Sequence, residues 1–262
     1  MLVSFVPPGG GSASVGLLSA DGGRVADLTA IGMEDVFAAL PRVGQLERLV
    51  KHLTATPGAM TYAVGSVRLL APVPYARLVR EVAAPVPDGG DGAALAFADP
   101  REIAGPGARV SVSANELLAV GIVGAIGTGG RDIAPEDGVH HLAGITLFAE
   151  WRTADPDADV ANDRLVIGPA IAPVASLTGD AELLVSFPEE SVRRIPLAGA
   201  LSALGAAVSA ASARYTLRVG DLFLHDAGVV DAVLGREESA EITIDGPAGT
   251  LSHVVVRSDR SH

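Results

Sequence analysis

The chain has 262 residues and a formal net charge of −12, with 19 Lys and Arg against 31 Asp and Glu. Phosphate binding needs clustered Lys and Arg, and no basic run occurs, so nucleic acid is excluded as an expected partner. Cysteine is absent, which removes disulfides, thiolate nucleophiles and Cys-ligated zinc. Hydrophobic residues make up 48% of the chain and aromatics only 4%, so Val, Leu, Ala and Ile must build the core. Lys51 is the single lysine, so anion binding falls to Arg.

The N-terminus, Met1-Leu2-Val3-Ser4-Phe5-Val6-Pro7-Pro8, has no basic region and no long apolar run. No secretory leader is expected, and a cytoplasmic protein with no membrane partner fits. Val3 to Phe5, Gly16 to Leu18 and Arg24 to Leu28 read as short strands, with Asp21-Gly22-Gly23 as a turn. Met33 to Leu40 reads as a short helix ended by Pro41. Residues 42–54 read as an amphipathic helix, with Val43, Leu46, Leu49, Val50 and Leu53 on one side. Val67 to Pro74 is extended, and residues 83–93 form a Gly/Pro linker or loop.

Beyond residue 94 strands dominate. They are expected at 109–113, 116–124, 145–151, 164–167, 182–187, 222–225 and 240–245, with a closing strand at 249–256. Helices are expected at 135–143 and 197–213. The second of these is the longest low-charge stretch, and its Ala and Ser content reads as a packed helix rather than a membrane span. The composition is α+β with β dominant. A small N-terminal α+β module over 1–66 and a main domain over 67–262 are expected.

Segments in order carry a resemblance. They are Leu69-Leu70-Ala71-Pro72-Val73-Pro74, Phe97 to Gly107, Asn115 to Gly124 with Gly144 to Trp151, Glu136-Asp137 to Gly144 (as the helix after that strand), Leu217 to Leu224, and Glu241 to Leu251. Together they resemble the fumarylacetoacetate hydrolase family. The fold so implied is a mixed β-sandwich roll, usually a homodimer. In that family a Glu-x-Glu strand and a later Asp place three carboxylates on one divalent cation. By resemblance Glu116 and Glu150 become ligands for Mg²⁺ or Mn²⁺, and Leu118 stands where a third ligand is expected. That replacement argues for weak or absent metal binding. The family's lid His, its two lysines and its threonine loop are also replaced, the last by His225-Asp226-Ala227-Gly228.

Two carboxylates without a cation repel, and one then holds a proton, which would make Glu116 and Glu150 an acid/base pair. His225 is a candidate acid/base, weighed against a surface loop histidine. Arg152 and Arg164 are candidate forks for an anionic substrate. His140-His141 point about 100° apart on a helix and cannot easily share an ion. Gly127-Thr128-Gly129-Gly130 reads as a hairpin turn, since no helix with a following Lys appears.

Two functions stand. One is a divergent member of the family acting on a small 1,3-dicarbonyl or oxo-acid, retasked as a lyase, decarboxylase, isomerase or cyclisation enzyme in a specialised pathway. The other is a non-catalytic pseudoenzyme, binding protein or scaffold subunit.

Overall fold

The computed structural model describes residues 1–46, 48–49, 53, 59–74, 76, 78–82, 94–98, 103–112, 116–153, 165–188, 192–231 and 239–257. The chain begins as an antiparallel meander: β1 (Leu2–Val6), β2 (Ser14–Leu18), β3 (Arg24–Asp27) and β4 (Thr61–Ala63). The turn between β2 and β3 forms where the sequence places it. The Asp21 carboxylate accepts from Gly23 N at 3.0 Å, and Gly22 takes φ 69°.

Helix α1 (Val36–Ala39) is capped by Asp35, whose carboxylate accepts from Ala38 N at 2.8 Å. A 3-10 turn over Leu40–Gln45 follows directly. Pro41 opens this turn instead of ending a helix, because the first turn needs no N–H from it. Much of the expected 42–54 helix lies outside the described residues.

The next strands are β5 (Arg68–Leu69), β6 (Leu78–Val82), β7 (Ala94–Ala98), β8 (Ile103–Ala104), β9 (Arg109–Val112), β10 (Glu116–Ile126), β11 (Leu142–Thr153) and β12 (Leu165–Pro173). Then come β13 (Glu182–Ser186), β14 (Arg193–Pro196), helix α2 (Ala200–Ser212), β15 (Leu222–Asp231), β16 (Ser239–Gly246) and β17 (Gly249–Arg257). The large sheet runs β4-β3-β2-β1-β12-β11-β10-β15-β6-β7, with β5 on β1 and β8 on β12. The meander therefore joins the main sheet edge to edge, through Leu2 opposite Ile171. The second sheet runs β14-β13-β16-β17-β9.

Both faces of the large sheet are covered. On one, Leu118, Val120, Ile122, Leu147 and Trp151 meet Leu183, Val185, Ile242, Ile244 and Leu251 of the second sheet, with Leu204 and Val208 of α2. On the other, Val123, Ala125, Phe148, Leu222 and Leu224 meet Val36, Leu40 and Val43. This explains the long apolar run of β10, which is buried on both sides. Among the described residues no helix is long and apolar enough to cross a membrane.

The helix expected at 135–143 is absent. A 3-10 turn over Gly138–His141 leads straight into β11. Tertiary contact decides this: a Cβ on Gly138 would lie 2.1 Å from the carbonyl oxygen of Gly205 in α2, so the backbones touch there. His140 is exposed, and the His141 ring contacts Thr128 O at 2.7 Å, so the two histidines face different partners.

Thr146 is fully buried opposite Val123, and its hydroxyl has no hydrogen-bond partner among the described residues. Thr146→Val keeps the shape and removes the desolvated hydroxyl. It is expected to raise stability by about 1 kcal/mol in urea unfolding, and a lower midpoint would contradict that.

Candidate active site

Strand register decides which side chains can meet. In the β10–β11 pair Glu116 is opposite Thr153, Leu117 opposite Arg152, Leu118 opposite Trp151 and Ala119 opposite Glu150. Opposed residues share a face, and successive residues alternate. Glu116 therefore shares its face with Leu118 and Trp151, toward the second sheet. Glu150 and Arg152 share the other face with Leu117 and Ala119. The expectation that Glu116 and Glu150 hold one cation is not met, because the sheet lies between them. On the Glu150 face, β10 offers Leu117 and Ala119.

Strand β15 brings in a residue that the sequence left in the shadow of His225. Val120 pairs with Gly228, but Gly121 pairs with Asp226, so Ala227 is an extra residue. This β-bulge turns the strand by one position. Without it Asp226 would oppose Ile122 and face the core. With it Asp226 opposes Gly121 and lies on the Glu150 face. His225 opposes Ile122 and so lies on the opposite face. Gly228 inside a strand was the one signal for such a bulge. Arg164 lies outside the described residues.

The three charged groups meet. Arg152 Nε donates to Glu150 Oε2 at 2.5 Å, and its Nη1 and Nη2 donate to Asp226 Oδ2 and Oδ1 at 2.7 and 3.0 Å. To do so Arg152 reaches from β11 across β10, where Ala119 and Gly121 present little side chain. The fork geometry suits a carboxylate and makes these bonds strong. Burial pulls the Arg152 pKa down, but the bonds to Asp226 and the charges of Glu150 and Asp226 outweigh it and hold the group above its ordinary value. The Glu150 side chain is 15% exposed, Arg152 30% and Asp226 43%, so the cluster opens toward solvent at the Asp226 end. It sits near the end of the sheet marked by Thr153, Leu165 and Asp231. The segments that continue from these strands, 154–164 and 232–238, lie outside the described residues.

No protein-family profile and no curated protein matches the chain. Solved structures do. The maleylpyruvate hydrolase from Sphingobium sp. SYK-6, in complex with manganese (II) ion and pyruvate, has a TM-score of 0.75 at 18% identity, over 98% of this chain and 99% of that one. Fumarylacetoacetate hydrolase from psychrophilic Exiguobacterium antarcticum follows at 0.71 and 19%, over 98% and 100%. The fold is that of the fumarylacetoacetate hydrolase family. A 5-carboxymethyl-2-hydroxymuconate delta-isomerase from Mycobacterium smegmatis shares it too, at 0.69 and 18%, over 98% and 99%.

Against that fumarylacetoacetate hydrolase fold, the described residues do not fit a divalent cation. No group of three or more His, Cys, Asp or Glu converges among them. Leu117 and Ala119 supply no oxygen beside Glu150. The carboxylates of Glu150 and Asp226 are already engaged by a guanidinium.

Proposed function

We propose that this chain is an enzyme of the fumarylacetoacetate hydrolase kind. It takes a small 1,3-dicarbonyl or oxo-acid anion at the Glu150–Arg152–Asp226 cluster. The carrying observation is an ionic cluster, open at one end, set beside Ala119, Gly121 and Phe148 on one face of the large sheet. A guanidinium has five N–H groups, and the bonds to Glu150 and Asp226 use three. The remaining two can receive a substrate carboxylate or a developing enolate oxygen, where a fixed donor lowers the barrier. The carbon between two carbonyls is acidic, and a carboxylate beside the anchored anion can take its proton. From that enolate, isomerisation, decarboxylation and carbon–carbon cleavage all remain open.

The test is a turnover screen with acylpyruvates and oxaloacetate, followed by loss of the enol ultraviolet band. Turnover by the wild type is expected, falling about 100-fold or more in Asp226→Asn and Glu150→Gln. Equal turnover in both variants would remove the cluster from the reaction. The closed ion pairing also favours a second reading, in which the cluster binds the anion without converting it. Saturable binding with no consumption of any compound would select that reading.

A further inference from the structure

We infer that the guanidinium of Arg152 takes the place of a divalent cation in this chain. The inference rests on the proposed site but concerns the cation alone.

Two features aim Glu150 and Asp226 at one region. The β10–β11 register puts Glu150 on that face, and the extra residue Ala227 puts Asp226 there too. Two carboxylates brought together in a partly buried place repel unless a cation lies between them. The cation here is covalently attached. Arg152 stands two residues from Glu150 on the same strand, bonds it through Nε, and grips both oxygens of Asp226 through Nη1 and Nη2. Among the described residues beside the cluster, the intervening strand presents Leu117, Ala119 and Gly121 on that face. These add no oxygen for an ion and leave room for the arginine to cross.

The substitution has a chemical sense. A guanidinium carries its positive charge at every working pH and is not lost to a chelator. It offers N–H groups to an oxyanion instead of a Lewis-acid orbital. It leaves the three-residue cluster with a formal charge of −1. Removing it takes the guanidinium's charge from two neighbouring carboxylates, a set that Mg²⁺ or Mn²⁺ can use together with water.

The experiment is a calorimetric titration of the purified full chain with Mn²⁺, for wild type, Arg152→Ser and the double variant Arg152→Ser/Glu150→Gln. Circular dichroism checks the fold of each. The wild type is expected to show no binding up to about 1 mM. Arg152→Ser is expected to bind at least tenfold more tightly than that limit, and the double variant to lose the gain. A wild-type Kd below about 10 µM overturns the inference, as does a folded Arg152→Ser that binds no better than wild type. If Arg152→Ser fails to fold, Arg152→Gln takes its place, and the wild-type titration still decides on its own. The titration contains no substrate. Failure of the turnover screen therefore leaves this inference standing, and failure here leaves the turnover result untouched.

Discussion

Acidification from pH 7 to pH 4 is expected to weaken the fold by about 3 kcal/mol through His253 alone. This residue is fully buried in β17, opposite Ile242. Its Nε2 accepts from the indole Nε1 of Trp151 at 3.0 Å, and the rings meet edge-on with centroids 6.4 Å apart. The proton of the neutral ring therefore sits on Nδ1, which has no hydrogen-bond partner among the described residues. Burial lowers the His253 pKa from 6.5 to about 4. Between those values the unfolded chain binds the proton and the folded chain does not. Stability from this group is thus complete above about pH 6.5 and is lost as pH falls toward 4. Protonation would also set an N–H donor against the Trp151 donor. Urea unfolding of wild type and His253→Gln at both pH values reads the effect. The variant should lose less stability on acidification, by about that amount; parallel losses would sink the assignment.

Gly121→Ala is expected to cost about 3 kcal/mol or more and to break the ionic cluster as well. A Cβ at this position would stand 2.1 Å from the carbonyl oxygen of His225 and 2.9 Å from Ala227 N, both backbone atoms of β15. It would also stand 2.7 Å from Phe148 Cε1. Backbone cannot swing aside as a long side chain can, so β15 must move away from β10 at the bulge. That movement takes Asp226 from Arg152. Gly179→Ala is the control, since a Cβ there meets nothing within 4 Å, and it should stay within about 0.5 kcal/mol of wild type. Denaturation midpoints give the stability difference, and a protected Arg152 Nε–H resonance reports the ion pairs. A Gly121→Ala protein with the wild-type midpoint and that resonance intact would contradict the argument.

The strands were legible because β-branched and leucine runs filled them: β10, β11 and β17 lie where the pattern places them, with longer ends. Helix α2 was legible from its Ala and Leu content. The turn at 138–141 was not, because its shape depends on Gly205, far away in sequence. At the site, Glu150 and Arg152 were both visible as candidates. Their partner was misread for a simple reason. A strand repeats every two residues, so a motif matched one position out of register exchanges the faces, and Glu116 was set beside Glu150 when the sheet divides them. The bulge at Ala227 did the same in reverse for His225 and Asp226. Arg152 was read as a fork waiting for a substrate, whereas its nearest acids are the chain's own.

Trp151 is the only tryptophan of the chain, and it is 1% exposed. Its indole touches His253, while its chain neighbours Glu150 and Arg152 face the other side of the sheet. The intrinsic fluorescence of this protein therefore comes from one place, at the wall between the buried imidazole and the charged cluster. An imidazolium quenches indole emission, and a shift of the β11 backbone moves the ring. One emission band, recorded with no label added, can follow both the acid titration of the interior and the arrival of an anion at the cluster.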